Sequence, residues 1–140
     1  MENLQATGWC RLFITRQVKP GDLCIDATAG NGCDTELLCR LTGETGQVLA
    51  FDIQREALER TEKRLAEAGL GHQARLILDG HEHMGKYAES EKVSCIVFNF
   101  GYLPGGNHGL ATRAPTSLAA VKAGLELLKI GGLMSLCIYS

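Results

Sequence analysis

The sequence predicts an α/β fold: a doubly wound, mainly parallel sheet with helices on both faces. Three observations predict it. Short runs such as Leu23–Thr28 and Val93–Phe98 are apolar almost without alternation, as strands covered on both faces are. Between them lie stretches with apolar residues three and four positions apart, the spacing of amphipathic helices. Every polar constellation in the chain falls at the end of a strand-like run, where open parallel sheets bind ligands.

The elements follow in order. Ala6, Trp9, Leu12 and Phe13 recur at helical spacing and predict a lead helix over roughly 3–17. Lys19-Pro20-Gly21-Asp22 stops it. Leu23–Thr28 is the first strand. Residues 33–42 suit a helix, with Leu37, Leu38 and Leu41 inward. Gly43–Gly46 is a loop and Gln47–Ile53 the second strand. Glu56–Ala68 is a helix with Leu58, Thr61, Leu65 and Ala68 in line, ended by Gly69-Leu70-Gly71. Ala74–Leu78 and Val93–Phe98 are strands three and four. Leu118, Val121, Leu125 and Leu128 mark a further helix, with Thr116 or Ser117 as its cap. Gly131-Gly132 then turns the chain into a fifth strand, Leu133–Tyr139. Right-handed crossovers wind such elements onto both faces of one sheet.

At 140 residues the chain is one domain, 1–140, large enough to bury a core. A net charge of −2 excludes a general attraction to nucleic acid or to anionic membranes. No apolar run reaches the ~20 residues of a membrane span, and Met1-Glu2-Asn3-Leu4 lacks the pattern of a secretory signal. The expected compartment is the cytoplasm. The six cysteines form no Cys-x-x-Cys pair and read as reduced thiols, three of them in strand-like runs. The chain stops at Ser140, straight after the fifth strand, so the last strands of such a sheet are expected to be missing. An apolar strand near an open edge invites pairing. A homodimer or a C-terminally truncated chain would account for such an edge.

The most informative segment is Leu23-Cys-Ile-Asp-Ala-Thr-Ala-Gly-Asn-Gly32, followed twenty positions on by Phe51-Asp52. Gly30 and Gly32 permit a tight turn and close approach of a ligand. The third glycine of a dinucleotide fingerprint is replaced by Thr35, so that fingerprint is incomplete. Asp26 stands before the glycines, where a carboxylate repels a pyrophosphate and suits a cationic ammonium or sulfonium. Asp52 is placed to accept hydrogen bonds from ribose hydroxyls. S-adenosylmethionine carries an amine, a sulfonium and a ribose, and matches both carboxylates. A nicotinamide-dependent oxidoreductase is the weaker rival, with Thr35 and Asp26 against it.

Alternatives stay open residue by residue. Asp26 could be a turn-capping aspartate. Ile53 could pack on an adenine face or be an ordinary core residue. Asp79 could accept from the adenine amine or simply turn the chain. Asn99-Phe-Gly-Tyr-Leu-Pro104 is either a substrate loop or a surface loop. In the first role Asn99 holds an amine and Tyr102 stacks on a base, while Gly101, Gly105 and Gly106 let the loop close over a ligand. His81, His83 and His108 are proton acceptors or exposed loop residues. His81-x-His83 alone makes no zinc site, and no metal is expected. Arg60, Lys63 and Arg64 are interleaved with glutamates, so most of the basic residues read as solvated helix faces.

Taken together, Asp26–Thr35, Phe51–Gln54, Gly80–Met84 and Asn99–His108 resemble the small bacterial class I methyltransferases labelled rRNA methylases, whose members are tRNA wobble-uridine enzymes. The resemblance spans almost the whole chain. It implies a Rossmann-like fold and S-adenosylmethionine as cofactor. The implied substrate is the aminomethyl group of 5-aminomethyl-2-thiouridine in the anticodon region of tRNA. It implies cofactor contacts from Asp26, Thr28, Gly30, Asn31, Gly32, Asp34, Thr35, Asp52, Ile53, Gln54, Asp79, Gly80, His81 and Asn99. It implies Asn99, Tyr102 and His81 as the catalytic residues, and direct methyl transfer with no covalent intermediate. An rRNA or other RNA substrate, and a fragment that binds the cofactor without catalysis, are the other readings.

Overall fold

The computed structural model describes residues 6–100 and 108–138. Helix α1 (Ala6–Gln17) leads into β1 (Leu23–Asp26), then α2 (Cys33–Thr42), β2 (Gln47–Asp52), α3 (Arg55–Glu67) and β3 (Ala74–Leu78). A 3-10 helix (His81–Lys86), β4 (Val93–Phe100), α4 (His108–Leu127) and β5 (Leu128–Ile138) follow. The five strands are all parallel, in the order β3-β2-β1-β4-β5. The doubly wound sheet is therefore as the sequence predicts.

Each of the central strands feeds two cores. Ile25, Leu49, Phe51, Ile77, Ile96 and Phe98 face one side, against Met84 of the 3-10 helix and Ala120 and Leu127 of α4. Cys24, Val48, Cys95 and Val97 face the other, against Ile14, Val18, Leu38 and Leu65 of the first three helices and their flanks. Neither face meets water there, which is why these strands lack a polar alternation. All six cysteines are free, and Cys24, Cys39, Cys95 and Cys137 are buried. Burial pushes the Cys95 thiol up to about 12, so it packs as a small hydrophobe.

Helix α3 ends as its glycine requires. Gly69 adopts φ +73°, its N–H bonds the Ala66 carbonyl at 3.1 Å, and Leu70 N–H reaches the Leu65 carbonyl at 2.8 Å. This pair of reversed bonds caps the helix, and Leu70 is buried against it.

Three expectations are corrected. In α1 the buried residue is Ile14, with Val18 just beyond, while Trp9 and Phe13 are half exposed and stack on each other. Helix α4 starts at His108 rather than at a cap on Thr116 or Ser117, and it runs through Pro115. Its buried side is Ala120, Gly124 and Leu127, whereas Leu118 and Leu125 are exposed. A Cβ on Gly124 would sit 2.7 Å from Met134 Cε and 3.2 Å from Ile96 Cδ1, so the helix comes close to the sheet at that position. Finally, Gly131-Gly132 is no turn between helix and strand. The pairing jumps from Val93↔Leu128 to Cys95↔Leu133, and Gly131 at φ +83° absorbs the excess as a bulge within β5.

Candidate active site

Parallel order brings the carboxyl ends of β1 to β4 to one edge of the sheet. Asp26 and Asp52 close β1 and β2, Asp79 follows β3, and Asn99 is the penultimate residue of β4.

The turn from β1 to α2 is the centre of this edge. Gly30 and Gly32 have φ of +55° and +85°, a left-handed conformation that costs a residue with a Cβ about 1–2 kcal/mol. Gly32 also lies against α3, where a Cβ would come within 3.0 Å of Thr61 Cα. Main-chain bonds from Ala27 to Val97 and from Ala29 to Phe51 tie the turn to β4 and β2. Asp52 braces it from the side. Its Oδ2 accepts Gly30 N–H at 3.0 Å and its Oδ1 accepts Gln54 N–H at 2.9 Å. Asn31 is the exposed tip, accepting from Arg60 Nε at 2.9 Å and, through its carbonyl, from Arg64 Nε at 3.0 Å. Arg40, Arg60, Lys63 and Arg64 line a 620 Å³ groove beside it, together with Glu36 and Glu67.

Asp26 does not project into the crevice as the sequence reading expects. It is fully buried. Its Oδ1 accepts Thr28 N–H at 3.1 Å and its Oδ2 accepts the Thr35 hydroxyl at 2.7 Å. Burial, reinforced by the Asp34 carboxylate, pushes Asp26 up to about 7. Thr35 is also fully buried. Both residues set the shape of the turn instead of presenting side chains at its surface.

Asp34 and Asn99 meet. The Asn99 side-chain amide donates from Nδ2 to Asp34 Oδ2, and Arg11 donates to Asp34 Oδ1 at 3.0 Å. The Asn99 main-chain N–H donates to Thr28 Oγ1 at 2.7 Å. Asn99 is thus fixed to the Gly-rich turn through its backbone and its side chain. Arg11 sits 23 positions from Asp34, and no sequence spacing announces that pairing.

Past β3, the expected loop histidines His81 and His83 lie on the 3-10 helix. Asp79 directs its oxygens within this segment, so the adenine contact expected of it is not its visible task. Oδ1 accepts from Gly80 N–H and His83 Nδ1, both at 2.7 Å, and Oδ2 accepts the Tyr87 hydroxyl at 2.8 Å. His83 and Tyr87 beside it hold the Asp79 carboxyl down to about 2. His81 Nδ1 lies 3.1 Å from the Ala27 carbonyl, and its ring packs near Phe98 and Phe100. A carbonyl only accepts, so Nδ1 carries the proton and Nε2 is the acceptor nitrogen of the neutral ring. Ile53 is 57% exposed just past the tip of β2, which excludes the core role for it. Glu82 lies within the Gly80–Met84 motif, which assigns it no role; its Oε1 is buried over Gly80 with no hydrogen-bond partner among the described residues. Tyr102, Gly101, Gly105 and Gly106 fall outside the described residues, as does the His108 side chain. Among the described residues no group of three His, Cys, Asp or Glu side chains could hold a metal ion.

Three carboxylates, Asp26, Asp34 and Asp52, surround one glycine turn closely enough to raise the first of them. The carboxylates of Asp34 and Asp52 beside that turn suit a nucleoside with a cationic tail and disfavour a pyrophosphate, while Asp26 stays buried beneath them.

This sheet order, the glycine turn after β1 and the carboxylate closing β2 define a Rossmann-like class I methyltransferase fold. Comparison with known proteins agrees. The family model described as "Putative rRNA methylase" matches residues 48–140. A crystal structure of that description from Clostridium thermocellum superposes with a TM-score of 0.88 at 41% identity, covering 96% of this chain and 72% of that one. A Streptococcus mutans methyltransferase solved in complex with SAH gives 0.81 at 34% identity, covering 95% and 73%. The chloroplastic tRNA (mnm(5)s(2)U34)-methyltransferase of Arabidopsis thaliana is 40% identical over 96% of this chain and 53% of its own length. This chain belongs to the rRNA methylase family. It spans about half the length of the curated relatives it matches.

Proposed function

We propose that the chain is an S-adenosylmethionine-dependent RNA methyltransferase acting on an amine, the aminomethyl group of wobble 5-aminomethyl-2-thiouridine in tRNA. The observation that carries the reading is the placement of Asn99. It lies at the end of β4 and is bonded to Thr28 of the turn that Asp52 braces and to Asp34 in the first turn of α2. A methyl-donor crevice and an amine-holding amide therefore share one rigid element. The Arabidopsis relative's name supplies the wobble uridine, and the SAH complex of the Streptococcus mutans protein supplies the cofactor class.

The cofactor would lie against Gly30, Asp52 and Ile53, with the acidic surroundings of Asp26 favouring its cationic end. When bound, it supplies an electrophilic methyl group on a sulfonium. The chain's own contribution is positioning and exclusion of water. Asn99 Oδ1 accepts an N–H of the neutral substrate amine and leaves the nitrogen lone pair for the methyl carbon. His81, held by the Ala27 carbonyl beside this turn, is the side chain assigned to the proton released afterwards.

The test is incubation of the protein with isotope-labelled S-adenosylmethionine and tRNA isolated from cells lacking the modification, followed by nucleoside mass spectrometry. Label on the aminomethyl nitrogen of the wobble uridine is expected. The family's description favours rRNA as a second substrate, so ribosomal RNA forms a parallel arm. Label there and none in tRNA would replace the tRNA assignment.

A further inference from the structure

We infer that Asp34, oriented by Arg11, is a positioning residue that sets which edge of the Asn99 amide faces the substrate. The inference rests on the methyltransferase reading above and deepens it.

Hydrogen-bond polarity fixes the orientation. An ionised carboxylate only accepts, so the edge of Asn99 facing Asp34 must be its NH2 group. The amide is planar, so its oxygen is turned away from Asp34. Rotation of the amide by half a turn would set oxygen against carboxylate oxygen. Arg11 donates to the other oxygen of Asp34 at 3.0 Å, and the Asp34 side chain is only 15% exposed. The Asn99 main chain is pinned separately by Thr28.

The edge presented decides the chemistry. An amide oxygen accepts an N–H from a neutral amine and leaves its lone pair unoccupied. An amide NH2 in the same place would donate into that lone pair, the pair needed for the new N–C bond. Orientation of Asn99 is therefore worth rate.

Arg11 supplies the discriminating variant. In Asp34→Asn the new side chain must show its oxygen to Arg11, because a guanidinium only donates. Its NH2 then faces Asn99, and Asn99 must turn over to offer oxygen back. The expected result is a fall in kcat of roughly 100-fold, the scale of a misplaced reacting group. The loss should fall much more heavily on kcat than on the dissociation constant for S-adenosylmethionine, which registers the lost Asp34 charge as well. Adding Arg11→Ala frees the introduced amide to rotate, so the double variant should recover at least about fivefold in kcat, on the same positioning argument. A merely structural role predicts the opposite, a double variant worse than the single one.

An independent readout needs neither turnover nor a variant. In the wild-type chain the side-chain NH2 of Asn99, observed by ¹⁵N-edited NMR, should exchange with solvent more slowly than exposed asparagines such as Asn31. Fast exchange there, an unchanged kcat in Asp34→Asn, or no recovery in the double variant overturns the inference. Wild-type protein that methylates no RNA but shows a protected Asn99 amide would sink the proposed function and leave the Asp34–Asn99 geometry standing.

Discussion

Thr35 donates its hydroxyl to the buried carboxylate of Asp26 at 2.7 Å. Thr35 occupies the place where a dinucleotide-binding turn has its third glycine. The departure from that fingerprint and the acidic residue before the glycines are therefore one feature. A carboxylate buried at the end of β1 needs partners, and the first turn of α2 supplies one. Replacing Thr35 by valine keeps the shape and strands Asp26 Oδ2. The expected loss is about 2 kcal/mol, the usual penalty for an unsatisfied buried polar group. Thr35→Ser should lose much less. Urea unfolding of the two variants checks this, and equal stabilities would refute the role of the hydroxyl.

Asp26 also predicts a pH dependence. Burial and the neighbouring Asp34 raise it from an ordinary 3.8 to about 7. Between those values the folded chain holds a proton that the unfolded chain has released. Stability due to Asp26 is thus present at low pH and falls as pH rises toward 7. Relative to Asp26→Asn, which cannot titrate, the wild type should lose roughly 3 kcal/mol between pH 5 and pH 8. Denaturant unfolding of both proteins across that range reads the difference. A difference that stays constant or grows with pH would mean that Asp26 is ionised throughout.

The same residue marks the limit of what sequence can say. That Asp26, Asp52, Asp79 and Asn99 stand at strand ends is legible, because strands and crossovers alone place them there. Which way each side chain points is not. Asp52 sits at the rim, whereas Asp26, in the equivalent place on the central strand, turns inward to Thr28 and Thr35. The difference comes from three-dimensional neighbours that no local spacing encodes. The Arg11–Asp34–Asn99 chain is hidden for the same reason, since its members lie on three elements. The apolar series after Pro115 splits, with Leu118 and Leu125 exposed while Val121 and Leu128 pack against the core beside Ala120 and Gly124.

Two left-handed glycines separate backbone strain from packing. Gly69 has φ +73° and nothing within 4 Å of a built Cβ, whereas Gly32 at +85° faces Thr61 at 3.0 Å. Gly69→Ala should cost about 1 kcal/mol, the conformational penalty alone. Gly32→Ala adds a clash with Thr61 Cα, a backbone atom that cannot swing aside, and should cost at least about 1 kcal/mol more. Thermal unfolding of both variants checks the order. Equal losses would mean that α3 shifts freely from the turn.

Leu125 and Leu127 test the orientation of α4. They lie two positions apart, yet Leu125 is 59% exposed and Leu127 is 3% exposed. Leu127 packs in the core beside Ala120, Val93 and Phe98. Truncation to alanine there leaves a cavity and should cost about 2–5 kcal/mol. Leu125→Ala removes a side chain that is mostly in water and replaces it with the best helix former, so its effect should stay within ~0.5 kcal/mol. For a domain of this size each kcal/mol moves Tm by roughly 3 °C, so the two midpoints should differ by at least about 5 °C. A larger loss at Leu125 than at Leu127 would show that the helix presents the leucine face to the sheet, as the bare periodicity of the sequence suggests.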